Sequence, residues 1–132
     1  MKELHIEAKA DNIDAVLDHI YSQIGNCSEM LKNQIGVAVD EIFSNVANYA
    51  YNPKVGKVLI RVSVGDDISI EFEDGGIAYD PLALETPDIS LPVEDRKIGG
   101  LGVHIVKNIM DSATYRRENN KNILVIKKSI SS

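Results

Sequence analysis

Residues 57–76 read KVLIRVSVGDDISIEFEDGG, two alternating apolar–polar runs on either side of Gly65-Asp66-Asp67. That alternation is the period of a half-buried strand, and the glycine–aspartate break predicts a β-hairpin. The second run ends at Asp74-Gly75-Gly76, and no clean alternating strand follows it. Asp80-Pro81 leads instead into an irregular stretch, 82–98, that contains Pro87 and Pro92. Structureless loops of that length in compact domains often serve as lids or binding loops, and the flanking residues favour a lid here.

Working outward, SATYRRE (112–118) and NILVIKK (122–128) form a closing hairpin around Asn119-Asn120-Lys121. ELHIEA (3–8) places Leu4, Ile6 and Ala8 on one face of a first strand. Asp11 is the expected cap of a helix with Ile13, Val16, Leu17, Ile20 and Ile24 at helical spacing, closed by Gly25. Ser28 opens a second helix, which Asn52-Pro53 ends. A glycine run then leads into a third helix carrying Leu101, Ile105, Val106 and Ile109. This order predicts one domain over residues 1–132, with a mixed, mostly antiparallel sheet and helices packed on one face.

The 132 residues are enough for one real core, and the 44% hydrophobic and 26% charged shares are those of an ordinary globular protein. A net charge of -6 argues against nucleic acid as a partner. The pairs Arg116-Arg117 and Lys127-Lys128 read as the solvated face of two strands. Cys27 is the single cysteine, which excludes a disulfide framework and a cysteine metal site and fits a reducing compartment. No apolar run approaches a membrane span and the N-terminus has no signal-peptide core, so a cytoplasmic location is expected.

Chemistry is suggested at three places. In VAVDEIFSNVANYAY (37–51), Glu41, Asn45 and Asn48 fall within about 60° of one another on one edge of the helix, flanked by Asp40, Ser44 and Asn52. Spacing alone favours a solvated polar face. Asparagine is nevertheless a poor helix former, and a carboxylate one turn from a carboxamide suits a base beside a Mg²⁺ ligand. At the second place, an Asp ending a buried strand before glycines suits an acceptor for an exocyclic amine, although Asp-Gly is also ordinary turn chemistry.

The third is RKIGGLGVHIVKNIMD (96–111), where Gly99, Gly100 and Gly102 precede a helix and Arg96 and Lys97 stand just upstream. Unpaired amides at a helix start bind anions, and glycine admits phosphate oxygens closely, so a mononucleotide polyphosphate is the natural ligand. A tightly packed hinge is the plainer reading. There is no P-loop motif, and Ile105 stands where a dinucleotide fold needs its last glycine. His5, His19 and His104 are scattered and read as surface or packing residues.

Taken in order, Glu41-x-x-x-Asn45, Asp74-x-Gly76 and the glycine segment resemble the N, G1 and G2 boxes of the GHKL ATP-binding superfamily. The bacterial anti-sigma-factor serine kinases are the nearest pattern. DGGIAYDP (74–81) resembles their Asp-x-Gly-x-x-aromatic-Asp-Pro segment, and GGLGVHIVKNIMD (99–111) their Gly-Gly-Leu-Gly segment running into a helix. The likeness spans about residues 30 to 127.

The resemblance implies a two-layer α/β (α+β) sandwich of the histidine-kinase-like ATPase type, with about three helices on one face of the sheet and an ATP-lid loop. It implies ATP and Mg²⁺ as cofactors. Asp74 would bind the adenine amine, with Gly76 beside it; Asn45 would hold Mg²⁺, with Asn48 near the phosphates. Glu41 would be the catalytic base, and Arg96, Lys97, Gly99, Gly100, Leu101 and Gly102 would wrap the phosphates. Many relatives carry a Thr in the last strand that reaches adenine through water, a position aligned with Val125. The implied function is a serine/threonine protein kinase that phosphorylates a small anti-anti-sigma-like antagonist and sequesters a sigma factor or other regulator, in some cases as a homodimer. The alternative is a nucleotide-gated binding module without phosphotransfer. A third reading makes the glycines and asparagines purely structural.

Overall fold

The computed structural model describes residues 2–25, 27–47, 56–77 and 106–130. The expected lid loop, the glycine segment and Asn52-Pro53 lie outside the described residues. Strand β1 (Lys2–Glu7) leads through a 3-10 turn (Ala10–Asn12) into α1 (Ile13–Ile24) and then α2 (Glu29–Asn45). Strands β2 (Lys57–Val64) and β3 (Asp67–Asp74) form the first hairpin, and β4 (Ser112–Glu118) and β5 (Lys121–Ser129) the second. Residues 106–109 are helical and belong to the third helix expected from the sequence.

The sheet runs β1-β2-β3-β5-β4. All four of its described pairings are antiparallel, so the mostly antiparallel sheet expected from the sequence is antiparallel throughout them. β5 pairs with β3, leaving β4 on the edge. The β4–β5 turn has positive φ at both Asn119 (53°) and Asn120 (62°). Asparagine tolerates that left-handed conformation, and two such residues match the right-handed twist of the flanking strands. The turn therefore fixes which β4 residue faces which β5 residue, setting Arg117 opposite Asn122, and the pairing of β5 with β3 sets Asp74 opposite Asn122.

One face of the sheet is apolar. Val58, Ile60, Val62, Ile68, Ile70, Phe72, Leu124 and Ile126 are all buried in one cluster with Val16, Ile20 and Ile24 of α1 and Ile35, Ala38, Val39, Ile42 and Phe43 of α2. The other face carries a cross-strand ion cluster in which Arg61 meets Glu3, Glu71 and Glu73. Half-exposed pairs of this kind add little stability, so burial of the helix-facing side holds the two layers together.

Ser28 caps α2 as expected: its Oγ accepts the Leu31 amide at 3.1 Å. Gly25 closes α1 with φ 67°. The expected Asp11 cap is corrected. Asn12 occupies the cap position without a side-chain cap bond, and its Nδ2 donates to the Glu7 carbonyl at 2.9 Å. The short 3-10 turn absorbs the chain's change of direction and leaves Asp11 one residue too early. The basic pairs are only partly solvated. Arg116 and Lys127 are exposed, but Lys128 Nζ donates to the Ile109 carbonyl at 2.6 Å and Arg117 reaches the end of β3.

Gly36 sits in the middle of α2, where glycine costs roughly 1 kcal/mol relative to alanine. Packing explains it: a Cβ there would run into the Tyr21 hydroxyl of α1, with the ring carbon Cζ behind it at 3.6 Å. Gly36→Ala is therefore expected to lose stability despite its better helix propensity. Tyr21→Phe removes the obstructing oxygen, so the double variant should recover most of the loss. Urea denaturation of the four proteins of this cycle should give a coupling of about 1 kcal/mol or more. An additive result would mean the glycine serves some other purpose.

Candidate functional site

β3 alternates buried and half-buried residues to its end, and Asp74 falls in the inward phase with Ile68, Ile70 and Phe72. A carboxylate is thus carried into the core edge with only 5% of its surface exposed. Its Oδ1 accepts two bonds, from the Gly76 amide and from Asn122 Nδ2, each at 2.9 Å. Among the described residues Oδ2 has no hydrogen-bond donor. Burial pushes the Asp74 carboxyl above the usual carboxylate range, while the Asn122 and Gly76 bonds and the Arg117 charge pull it back.

The turn after Asp74 is tied down from the far hairpin. Asn122 Nδ2 also donates to the Ile77 carbonyl at 2.7 Å, and Arg117 Nη1 donates to the Gly76 carbonyl at 2.9 Å. Asn122 Oδ1 accepts from the Tyr115 hydroxyl at 2.5 Å and from Arg117 Nη1 at 3.0 Å. A buried carboxylate with one oxygen fixed and the other facing no described donor is a fitting acceptor for an amine brought by a ligand.

α2 supplies the second group. Its apolar side is buried as expected, and Asp40 is exposed on the opposite side. Asn45 departs from a solvated polar face: it is 5% exposed, and its Nδ2 is buried without a hydrogen-bond partner. A buried carboxamide with an unpaired end carries a desolvation cost that a ligand can relieve. One turn earlier Glu41 is half-buried, and burial, then the neighbouring Asp40 charge, raises its carboxyl above the ordinary value. Phe43 and Val46 beside Asn45, and Phe72 and Val58 beside Asp74, belong to one core, so both polar ends border the same packed interior.

The donor set fits Mg²⁺ in its usual form, with one or two protein oxygens and the rest from phosphate and water. The unpaired atom of Asn45 is Nδ2, a donor suited to a phosphate oxygen, so Mg²⁺ would take the carboxamide oxygen; no cluster of three His, Cys, Asp or Glu side chains forms an all-protein metal cage among the described residues.

Of the residues singled out in the sequence, Glu41, Asn45, Asp74 and Gly76 are positioned here. Asn48, Arg96, Lys97, Gly99, Gly100, Leu101 and Gly102 lie outside the described residues. The alignment of Val125 with an adenine-contacting Thr is corrected. Val125 pairs with Glu71, three residues from Asp74 and therefore on the opposite face of the sheet. The residue beside Asp74 on β5 is Asn122, which the sequence reading missed together with Arg117 and Tyr115. One signal was present, because Asn122 falls in the inward phase of β5 with Leu124 and Ile126. His5 is exposed, whereas His19 is half-buried on α1 with Nε2 unpartnered. No helix of the described residues is long and apolar enough to cross a membrane.

Comparison with known proteins agrees with this fold. The serine-protein kinase RsbW of Bacillus cereus strain AH187 is 26% identical over 133 residues, covering 95% of this chain and 82% of the relative. The serine/threonine-protein kinase BtrW of Bordetella bronchiseptica is 25% identical over 101 residues, covering 75% of this chain and 71% of the relative. Among solved structures, the histidine kinase domain of the Erythrobacter litoralis EL346 blue-light activated histidine kinase superposes with a TM-score of 0.55 at 17% identity. That match covers 92% of this chain, which spans 61% of that domain. The Acinetobacter baumannii histidine kinase AdeS gives 0.54 at 16% identity, over 100% of this chain and 69% of AdeS. Both structural likenesses concern the fold. A family model described as the histidine kinase-like ATPase domain matches residues 6–128, and the chain therefore belongs to that family.

Proposed function

We propose that this chain is an ATP-dependent protein serine/threonine kinase, acting on a small antagonist protein and holding a second regulatory protein such as a sigma factor. The observation that carries the reading is the buried Asp74 carboxylate, with Oδ1 clamped and Oδ2 free of described donors, at the end of a strand in a histidine kinase-like ATPase domain. Relatives named serine-protein kinases support the transfer activity over a binding module without chemistry.

In this reading Asp74 accepts the adenine amine, and Gly76 lets the base approach the strand end. Asn45 is the carboxamide that would hold Mg²⁺, which when bound screens the charge of the phosphates. Backbone amides of Gly99, Gly100, Leu101 and Gly102, with Arg96, Lys97 and Asn48, are assigned to the phosphates. The serine hydroxyl oxygen of the partner attacks the γ-phosphorus, its proton passes to Glu41, and ADP leaves. Positioning and charge stabilisation supply most of such a reaction. A base with a raised pKa takes the proton more readily, and burial together with Asp40 raises that of Glu41.

Asp74→Asn separates binding from folding. Its side-chain oxygen can still accept from Gly76 and Asn122, while the charge and the second acceptor disappear. Loss of one charged hydrogen bond is expected to weaken ATP binding roughly 10- to 100-fold by calorimetry. Because burial raises this carboxyl, folding holds its proton more tightly than the unfolded chain does. That contribution stabilises at low pH and is lost as pH rises through the folded value. The ionised Asp74 thus costs stability at neutral pH, and Asp74→Asn should unfold no more easily than the wild type. Unchanged ATP affinity in this variant would remove Asp74 from the adenine contact, and no ATP binding by the wild type would remove the nucleotide reading.

Glu41→Gln should leave ATP binding intact and cut label transfer from γ-labelled ATP to the antagonist by roughly 100-fold or more. Transfer in the wild type should fall as pH drops through the raised Glu41 value. Asp40→Asn removes the like charge, so that acid limb should move to lower pH. Full transfer by Glu41→Gln would leave a kinase without this base, and no transfer by the wild type would leave only a nucleotide-gated binding module.

A further inference from the structure

Asn122 stands out among the polar groups to which the proposed chemistry gives no part. It is 3% exposed, and it links both strands of the closing hairpin to the turn after β3. A carboxamide has two N–H donors and two carbonyl lone pairs, and here all four have partners. The donors meet Asp74 Oδ1 and the Ile77 carbonyl; the lone pairs meet the Tyr115 hydroxyl and Arg117 Nη1. The amide cannot be reversed. Reversal would bring its N–H groups against a guanidinium that cannot accept, and its oxygen against a carboxylate and a carbonyl.

We propose that Asn122 is the positioning residue of the nucleobase subsite, aiming the Asp74 carboxylate and fixing its turn, with Arg117 and Tyr115 setting the orientation of Asn122 itself. This deepens the ATP-binding reading and rests on it. Asn122 has no amide capacity left for a ligand, so it acts through Asp74. Through Asn122 a surface cation reaches a buried anion without a second charge entering the core, because hydrogen bonds in sequence polarise one another. Arg117 acts twice, since the same nitrogen also holds the Gly76 carbonyl. The arrangement orients Oδ2 and favours the ionised carboxylate that an incoming amine requires.

Charged and titratable groups approach Asp74 from both faces of the sheet. β4 contributes Arg117 and, through Asn122, the Tyr115 hydroxyl; β5 contributes Asn122; β2 contributes the apolar Val58. Glu3 and His5 of β1, with Lys57, Arg61, Glu73 and Lys121, line a cavity of about 360 Å³ that reaches Asp74 and Gly75 from the open side of the sheet. Among these, Arg117 is the cation joined to Asp74 through a single intervening side chain.

The test is calorimetric titration of the full chain with ATP and Mg²⁺ between about pH 5 and about pH 8, a window that begins above the ordinary carboxylate range. The variants are Asn122→Leu, Arg117→Gln and Arg117→Lys. Asn122→Leu should lose roughly tenfold or more in affinity at neutral pH, and the acid-side midpoint of binding should move to higher pH. Arg117→Gln should shift both in the same direction by a smaller amount, about threefold in affinity. Arg117→Lys should restore the pH midpoint more fully than the affinity, because it keeps the charge and loses the fork. A merely structural role would lower thermal stability and leave the midpoint in place. Arg117 is exposed, so its variants decide the matter even where Asn122→Leu fails to fold. Wild-type binding and unshifted midpoints in the variants, with Asp74→Asn still defective, would overturn this inference alone. A wild type that binds no ATP would overturn the nucleotide reading and this inference with it.

Discussion

The hydrogen bond from Asn122 to Asp74 is the constraint on which the rest of this structure turns. A carboxylate brought into a core edge needs donors, and a single turn amide does not meet the need. The second donor comes from a strand 48 positions later in sequence, so the chain has to leave β3, travel away and return. Placing β4 on the sheet edge and folding β5 back against β3 accomplishes this. The two left-handed asparagines at 119 and 120 set Arg117 opposite Asn122 within the hairpin, and the pairing of β5 with β3 puts Asn122, and not its neighbour, opposite Asp74. A slip of one residue would turn Asn122 to the open face and bring a side chain of the other phase against the carboxylate.

The two faces of the sheet meet opposite requirements. The helix-facing side is apolar except at one end, where Asp74 and Asn122 interrupt the pattern. The open side gathers its charges around Arg61, whose partners on β1 and β3 leave it in a half-exposed network. Such a network screens well and tolerates change. The Asp74 group does neither, because Oδ1 and all four amide positions of Asn122 are committed while Oδ2 faces no described donor. Helix α2 repeats the contrast within one element: Asp40 and Ser44 pair with each other at the surface, while Asn45 is buried with an unsatisfied nitrogen. Both exceptions to good core design lie where a nucleotide is proposed to bind, and an unpaired buried group is tolerable when a ligand completes it.

Much of the fold was legible in the sequence because its signals are local. Alternation in 57–64 and 67–74 gave the first hairpin, Ser28 gave the start of α2, and the spacing from Ile13 to Ile24 gave α1. Asp11 failed as a cap because a 3-10 turn of three residues has no periodic signature. At the site, Asp74 and Gly76 were legible from the end of an alternating run. Asn122 was not, because its role depends on which strand lies next to β3, and strand order is not a local property. The error at Val125 has the same origin: counting along β5 without its register cannot say which face a residue takes. The burial of Asn45 escaped for a related reason, since a helical wheel ranks faces and says nothing of how far the neighbouring sheet extends over them.

These failures share a direction. Apart from the cap before α1, local signals were read correctly, and residues whose hydrogen bonds cross between strands, Asn122, Arg117 and Tyr115, were not. Arg117 is the sharpest case. By composition it is one of two adjacent arginines on an edge strand, and by exposure it belongs to the solvated surface. Only the alternation of β4 separates it from Arg116, which turns to the open side and pairs with Glu118. One residue of phase therefore divides a surface cation of little consequence from one joined to the buried carboxylate. Charge on an edge strand is usually explained as protection against strand pairing, and Arg116 needs no other account. Arg117 does, because its guanidinium is held at a backbone carbonyl and a buried amide, where a solubilising charge would have no reason to be.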